Sequence, residues 1–175
     1  ESMRAVFPLV QKYGGTVIAL TIDEDGIPPT AEGRLAVARK IVETAAAYGI
    51  EKKDIVVDVL AMTVSAEQDA ALVTLKALEL VREELGVYTS LGVSNISFGL
   101  PQRENVNTAF FTMAMQNGLG GAIINPNSKA MMAAYYAYCA LSGADGQCME
   151  YIAQYAGQTA APAAAPAPGG DIGVQ

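Results

Sequence analysis

The sequence contains no histidine, only two cysteines and few basic residues. A mechanism that needs an imidazole base or a histidine-ligated metal is therefore excluded within this chain. Cys139 and Cys148 are too few for a disulfide framework, and their spacing matches no zinc motif. With 11 Lys and Arg against 18 Asp and Glu the net charge is −7, which argues against a surface for nucleic acid or for an anionic membrane.

Long apolar runs are also missing, and so is a signal segment. No run approaches the roughly 20 apolar residues that cross a bilayer, and no basic stretch followed by an apolar segment opens the chain. We therefore expect a cytoplasmic protein without a membrane partner. The composition, 51% hydrophobic and 17% charged over 175 residues, predicts one globular domain with a substantial core.

The two ends indicate a piece of a multidomain protein. Residue 1 is Glu, so we expect that the chain begins inside something larger or has been processed. Residues 1–157 are predicted to fold, whereas residues 158–170 are rich in Ala and Pro, which is typical of a semi-rigid linker. Residues 171–175 are then expected to be the start of a following module.

Four apolar segments alternate with helical patterns between those ends. The predicted strands are Thr16–Ile22, Ile55–Leu60, Ser90–Ser97 and Gly121–Asn125. Helices are predicted for Ser2–Tyr13, for Thr30–Tyr48 with Thr30 as N-cap and Gly49 as the stop, and after each later strand. This alternation predicts an α/β fold with a parallel sheet. The pattern alone leaves open whether the sheet is doubly wound or half of an eight-stranded barrel.

Polar residues mark the C-terminal ends of the predicted strands, where a barrel places its functional groups. Asp58 shares a face with apolar neighbours, and a buried carboxylate needs a partner, so a structural ion pair and a binding role are both open. Asn95 has the same pattern in the next strand, with a turn role as the alternative. Arg103 is a surface residue by default, and the acidic segment Asp23–Gly26 fits a solvated turn as well as a site.

The segment Gly92–Arg103 (GVSNISFGLPQR) resembles the seventh-strand motif of the pterin-binding domain in cobalamin-dependent methionine synthases and methyltetrahydrofolate:corrinoid methyltransferases. Tyr13–Ile41 is similar to the fifth strand and helix of that family, Ile55–Ser65 to the sixth strand and Gly118–Pro126 to the eighth. The resemblance implies the C-terminal half, about four βα units, of a (β/α)8 TIM barrel of the dihydropteroate-synthase-like type.

The resemblance also implies roles for three residues. Asp58 matches the family aspartate that binds the pterin ring, Asn95 the asparagine near pterin N5, and Arg103 an arginine near the folate. The implied substrate is 5-methyltetrahydrofolate, whose methyl group passes from N5 to the Co(I) of a corrinoid (cobalamin). That corrinoid belongs to a corrinoid-binding domain or protein, and residues 171–175 are a candidate start for such a module.

The family barrel has four earlier strands that carry further pterin-binding groups. We therefore expect the chain alone to lack its N-terminal half-barrel partner, to bind folate weakly or not at all, and to be inactive as a methyltransferase. Exposed sheet edges leave association into a homo-oligomer open. Two alternatives remain: another pterin enzyme of the dihydropteroate synthase type, which would respond to pterin pyrophosphate, and a non-catalytic fragment or assembly module, which would self-associate without ligand.

Overall fold

A computed structural model of the chain describes residues 2–157. The predicted linker, residues 158–170, and the predicted start of a further module, residues 171–175, lie outside the described residues. Within the described part no helix is long and apolar enough to span a membrane.

Strands and helices alternate along the described chain. The strands are β1 (Val17–Leu20), β2 (Ile55–Asp58), β3 (Tyr88–Gly92) and β4 (Gly121–Ile123). The helices are α1 (Ser2–Tyr13), α2 (Ala31–Ala47), α3 (Ala70–Leu80), α4 (Arg103–Gln116), α5 (Lys129–Ser142) and α6 (Met149–Tyr155). Short 3-10 helices cover Lys52–Asp54, Val93–Ser97 and Gly146–Cys148, and a π-helical turn, Val81–Leu85, follows α3.

The strands form one parallel sheet in the order β1-β2-β3-β4. A doubly wound sheet reverses its strand order at a switch point, and no reversal occurs here. The helices pack in sequence beside one another, α2 on α3, α3 on α4 and α4 on α5, over the sheet face that buries Ala19, Val57 and Leu91. This is the arrangement of successive units in a (β/α) barrel, so the predicted α/β class and the partial barrel are confirmed.

Helix α2 begins and ends where its sequence predicts. The Thr30 hydroxyl accepts a hydrogen bond from the Gly33 N–H at 3.1 Å, which caps the helix. Gly49 follows the helix with φ +73°, a left-handed conformation that glycine adopts freely. Gly33 is required by packing, because a Cβ at this position would lie 2.8 Å from the Pro28 Cβ.

The third strand was predicted wrongly at both ends. It covers Tyr88–Gly92 and gives way to a 3-10 helix, Val93–Ser97, so Asn95 does not lie on a strand face as expected. Ser and Asn side chains compete for backbone groups and favour such turns. Here the Ser97 hydroxyl donates to the Ser94 carbonyl at 3.3 Å, and the Phe98 N–H donates to the Asn95 carbonyl at 3.3 Å.

The sheet face opposite the helices is open in the described chain. Its apolar side chains are exposed, among them Ile18 (65%), Tyr88 (62%) and Ile123 (66%). An apolar run such as that of β1 predicts a strand that is buried on both faces, and this prediction is wrong in the described chain because helices cover only one face. In residues 2–157 each outer strand, β1 and β4, also pairs on one edge only.

Candidate functional site

Asp58 is the last residue of β2, one of the two central strands of the sheet. Its registered neighbours are Leu20 on β1 and Ser90 on β3. Paired residues of parallel strands share a face, and the residues two positions earlier in these strands include the exposed Ile18 and Tyr88. The Asp58 side chain therefore lies on the open face, at the C-terminal edge.

The Asp58 carboxylate is buried, at 7% exposure, and incompletely satisfied. Its Oδ1 accepts a hydrogen bond from the Leu60 N–H at 2.9 Å. Within residues 2–157, Oδ2 accepts no hydrogen bond and no Lys or Arg forms an ion pair with this carboxylate. Burial raises the pKa of Asp58 above its usual value, and the Leu60 N–H opposes that rise. The structural ion pair considered from the sequence is absent from the described part of the chain.

Ser90 adds a second unsatisfied group beside Asp58. Its hydroxyl is buried and has no hydrogen-bond partner among the described residues, although the residue is the registered neighbour of Asp58. Buried hydroxyls are normally hydrogen-bonded, so an orphan of this kind indicates a missing partner. Asp58 and Ser90 together form a small polar patch on an otherwise apolar face.

Asn95 lies in the 3-10 helix that follows β3, the strand next to the one that carries Asp58. Its side chain is exposed. The amide lies over the end of the strand, because a Cβ built on Gly92 would be 3.1 Å from Asn95 Nδ2. Within residues 2–157 the amide makes no hydrogen bond of its own. An exposed amide whose donor and acceptor are both free is available to a ligand.

Arg103, the first residue of α4, fixes the turn that carries Asn95. Its Nε donates to the Ser97 hydroxyl at 3.0 Å and its Nη2 donates to the Ser94 carbonyl at 2.8 Å. The guanidinium also lies over the Phe98 ring, 4.5 Å from the centroid. Arg103 is half-buried and is held by this network at the surface.

Hydrogen bonds join the loops after β2 and β3, which carry the candidate groups. The Thr63 and Ser65 hydroxyls both donate to the Phe98 carbonyl, at 2.8 and 2.7 Å. The Val64 N–H donates to the Ile96 carbonyl at 3.0 Å. Asp58 and Asn95 are therefore held by one connected framework.

The acidic segment after β1 forms a separate turn. The Asp23 N–H and the Gly26 carbonyl pair at 3.1 Å, and the Asp25 N–H donates to Asp23 Oδ1 at 2.9 Å. Asp23 and Asp25 are exposed. This geometry matches a solvated turn, which was one of the two interpretations of this segment, the other being a functional site.

A family model described as pterin binding enzyme matches residues 2–125, a stretch that includes all four strands. The chain belongs to the pterin-binding enzyme family. The resemblance inferred from the strand-end motifs is thereby confirmed. Asp58, Ser90 and Asn95 lie at the C-terminal edge of the sheet, the edge at which (β/α) barrels place their functional groups.

Two kinds of curated relative are similar to this pterin-binding chain. It is 32% identical over 177 aligned positions to the methylcorrinoid:tetrahydrofolate methyltransferase of Eubacterium limosum, an alignment that covers 86% of this chain and 65% of the relative. It is 34% identical over 125 positions to the methionine synthase of Mycobacterium tuberculosis, covering 67% of this chain and 10% of the relative. The methionine synthase of Mycobacterium leprae is 35% identical over the same length. The chain thus spans a little under two thirds of the first relative and a tenth of the synthases.

Sequence reasoning missed two residues of this site. Ser90 was treated only as the start of a strand, and nothing in the sequence marks it apart from its register with Asp58. Arg34 of α2 is buried and donates to the turn after Asp58. The burial of Arg34 could have been predicted from the sequence. Arg34, Ala38 and Ile41 are spaced so that they lie on one face of the helix, and Ala38 and Ile41 are apolar.

Proposed function

We propose that this chain binds 5-methyltetrahydrofolate and supports transfer of the N5 methyl group to the cobalt of a corrinoid carried by another domain or protein. One observation carries the proposal. At the C-terminal edge of the sheet, in a chain of the pterin-binding family, the buried Asp58 carboxylate with a free oxygen is registered beside the buried Ser90 hydroxyl, which has no partner among the described residues.

The pterin ring has a shape that matches these two groups. Its aminopyrimidinone edge presents two parallel N–H donors, which a carboxylate accepts together in a charge-assisted pair. Asp58 Oδ2 is free, and Oδ1 keeps a second lone pair beside its hydrogen bond from Leu60. The Ser90 hydroxyl can then bond to a neighbouring polar atom of the ring, which would satisfy the buried orphan.

Asn95 suits the reacting end of the ring. The methyl group leaves a tertiary amine, which is a poor leaving group until N5 gains a proton or a strong hydrogen bond. The exposed amide of Asn95 can donate or accept as the charge on N5 changes. Arg103 fixes the backbone on both sides of Asn95 and acts as its positioning residue.

A corrinoid supplies the nucleophilic cobalt when it is bound on its own domain. This chain has no histidine, so any imidazole ligand to that cobalt would come from elsewhere. The contribution of the chain is therefore binding, orientation and control of the proton at N5.

The earlier half of the barrel is proposed as the second partner. Strand β1 has a free edge in the described chain, and a groove of about 450 Å³ lies between α1, β1 and α2. The exposed apolar residues of the open face would be buried by further barrel strands, as in the packed interior of a complete barrel. On this proposal the site is incomplete in the isolated chain.

The reverse direction of transfer is the second candidate. The relative that aligns with 86% of this chain is named a methylcorrinoid:tetrahydrofolate methyltransferase. The same binding groups serve both directions, since forward and reverse reactions share one transition state. The favoured direction can be assigned by comparing two initial rates, that of methyl transfer from 5-methyltetrahydrofolate to the corrinoid and that of transfer from the methylcorrinoid to tetrahydrofolate.

Methyl transfer can be tested on the protein extended upstream to a complete barrel. It is incubated with 5-methyltetrahydrofolate and reduced cobalamin, and the release of tetrahydrofolate is followed by chromatography. We expect turnover, and a loss of about 100-fold or more in Asn95→Ala, the scale of one lost hydrogen bond to the charge that changes in the transition state. Asn105→Ala, an exposed amide on α4, should keep the wild-type rate. Turnover of pterin pyrophosphate without methyl transfer would instead indicate an enzyme of the dihydropteroate synthase type.

A further inference from the structure

Arg34 is a charged residue in the core of the helical layer. Its exposure is 1%, and it forms no ion pair within residues 2–157. The guanidinium donates instead to the carbonyls of Pro28 (3.1 Å), Val59 (3.1 Å) and Leu60 (2.7 Å), and to the Thr74 hydroxyl (3.2 Å). Burial of a guanidinium without a carboxylate is costly, so a role for this geometry is expected.

Two of the four acceptors belong to the turn directly after Asp58. Leu60 adopts φ +63°, a left-handed conformation that is uncommon for a branched residue. Its carbonyl accepts from Arg34 at 2.7 Å, and its N–H donates to Asp58 Oδ1. The Thr74 hydroxyl, which donates to the Ala70 carbonyl at 2.8 Å, also lies 3.3 Å from the Leu60 carbonyl. Arg34 therefore holds the carbonyl of Leu60, and Asp58 holds its N–H.

We propose that Arg34 is a positioning residue for the pterin-binding carboxylate. By holding Leu60 in the left-handed conformation, it directs the Leu60 N–H onto Asp58 Oδ1 and leaves Oδ2 for the ligand. The planar fork of arginine is needed, because one nitrogen, Nη1, spans the Val59 and Leu60 carbonyls while Nε holds Pro28. The link to pterin rests on the proposed function, whereas the effect on Asp58 does not.

The pKa of Asp58 reports specifically on its hydrogen bond from the Leu60 N–H. Burial raises its pKa and the Leu60 N–H lowers it, and no charged neighbour contributes to the shift. Helices α2 and α3 carry Glu32, Arg34, Arg39, Lys40, Glu43, Lys76 and Glu79, and none of these contributes to the shift of Asp58. Glu67, before α3, acts on Arg34 and opposes the burial that lowers the pKa of Arg34. Loss of the Leu60 hydrogen bond therefore moves the pKa of Asp58 upward, whereas a general loss of stability does not.

The test is a titration of the Asp58 carboxyl by carbon NMR, without ligand, in the protein extended upstream to a complete barrel. Arg34→Lys keeps the charge but loses the fork, so we expect the pKa of Asp58 to rise. The control is Arg39→Lys on the same helix, where the arginine forms an exposed ion pair with Glu84, and the pKa of Asp58 should stay at the wild-type value. An unchanged pKa in Arg34→Lys would overturn the proposal even if the melting temperature fell.

Thr74→Val is a gentler second variant, in case Arg34→Lys does not fold. Valine has the shape of threonine but loses the hydroxyl that accepts from Arg34 Nη1. That hydroxyl donates to the Ala70 carbonyl at 2.8 Å and also lies 3.3 Å from the Leu60 carbonyl. A smaller upward shift in the pKa of Asp58 supports the proposal, and no shift in this folded variant overturns it.

Folate titrations then separate the two proposals. In Arg34→Lys the affinity for 5-methyltetrahydrofolate at neutral pH should fall about tenfold, the scale of one misplaced hydrogen bond. If the wild-type barrel binds no folate, the proposed function fails, and the NMR titration still decides whether Arg34 positions Asp58. If the wild type binds and Arg34→Lys binds equally well, the positioning role is refuted and the proposed function stands.

Discussion

Replacement of Asp58 by asparagine should stabilise the protein while it removes the carboxylate proposed to bind the pterin ring. The amide keeps an acceptor for the Leu60 N–H but removes a charge that is buried without a second partner in the described residues. Because burial raises the pKa of Asp58 in the folded state, the native protein binds more protons than the unfolded chain between the unfolded and folded pKa values. Stability therefore falls as pH rises through that window, and the penalty is fully present above the folded pKa.

The stability gain expected for Asp58→Asn has the size of a single stabilising substitution. We expect Asp58→Asn to gain about 0.5–2 kcal/mol in the free energy of unfolding at neutral pH, the range of single stabilising substitutions. For a chain of this length 1 kcal/mol corresponds to roughly 2–4 °C in melting temperature. The gain should vanish at pH values below the ordinary pKa of aspartate, because the wild-type carboxyl is then neutral in both states.

Urea unfolding at neutral and acid pH measures this difference directly. The matched control is Asp54→Asn, a half-buried aspartate before β2, at the opposite end of the same strand, which should change stability by less than about 0.5 kcal/mol. A loss of more than about 1 kcal/mol in Asp58→Asn at neutral pH would refute the reasoning. It would mean that the carboxylate has a stabilising partner in the folded protein.

Three further substitutions test the packing around the site. Gly92→Ala should slow methyl transfer with little change in melting temperature. The added Cβ would lie 3.1 Å from Asn95 Nδ2 and would displace the amide. An unchanged rate of methyl transfer would argue against a position of Asn95 near pterin N5. Leu78→Ala should cost about 2–5 kcal/mol in urea unfolding, since this core side chain is fully buried, and a cost below 1 kcal/mol would contradict the described core. Ile18→Asp should change the stability of the isolated chain by less than about 0.5 kcal/mol, because Ile18 is 65% exposed. It should prevent copurification with a separately expressed N-terminal half-barrel, and retained copurification would count against burial of this face.

Element type and order could be predicted from the sequence because local rules determine them. Thr30 caps α2 and Gly49 ends it, as N-cap and left-handed preferences dictate. Asp58 stood out because a carboxylate interrupts an apolar strand. The limits of β3 could not be predicted, since whether the chain continues as a strand after Gly92 depends on hydrogen bonds from Arg103, which lies six and nine positions after the Ser97 and Ser94 groups that it holds.

The remaining parts of the site depend on contacts between distant segments. Ser90 becomes notable only when parallel pairing places it beside Asp58. Arg34 lies 25 and 26 positions before the carbonyls of Val59 and Leu60 to which it donates, so its function is fixed by packing of α2 against the sheet. The open face is likewise a tertiary property, because the apolar run of β1 has the same local pattern whether one face or both are covered.

The most direct test of folate binding at Asp58 is calorimetric titration of 5-methyltetrahydrofolate into the protein extended upstream to a complete barrel. Wild type and Asp54→Ala should bind alike, and Asp58→Ala should bind at least about 2 kcal/mol, or roughly 30-fold, more weakly, as expected for a lost charge-assisted pair. Equal binding by Asp58→Ala, or no binding by the wild type, would contradict a pterin site at this edge of the sheet.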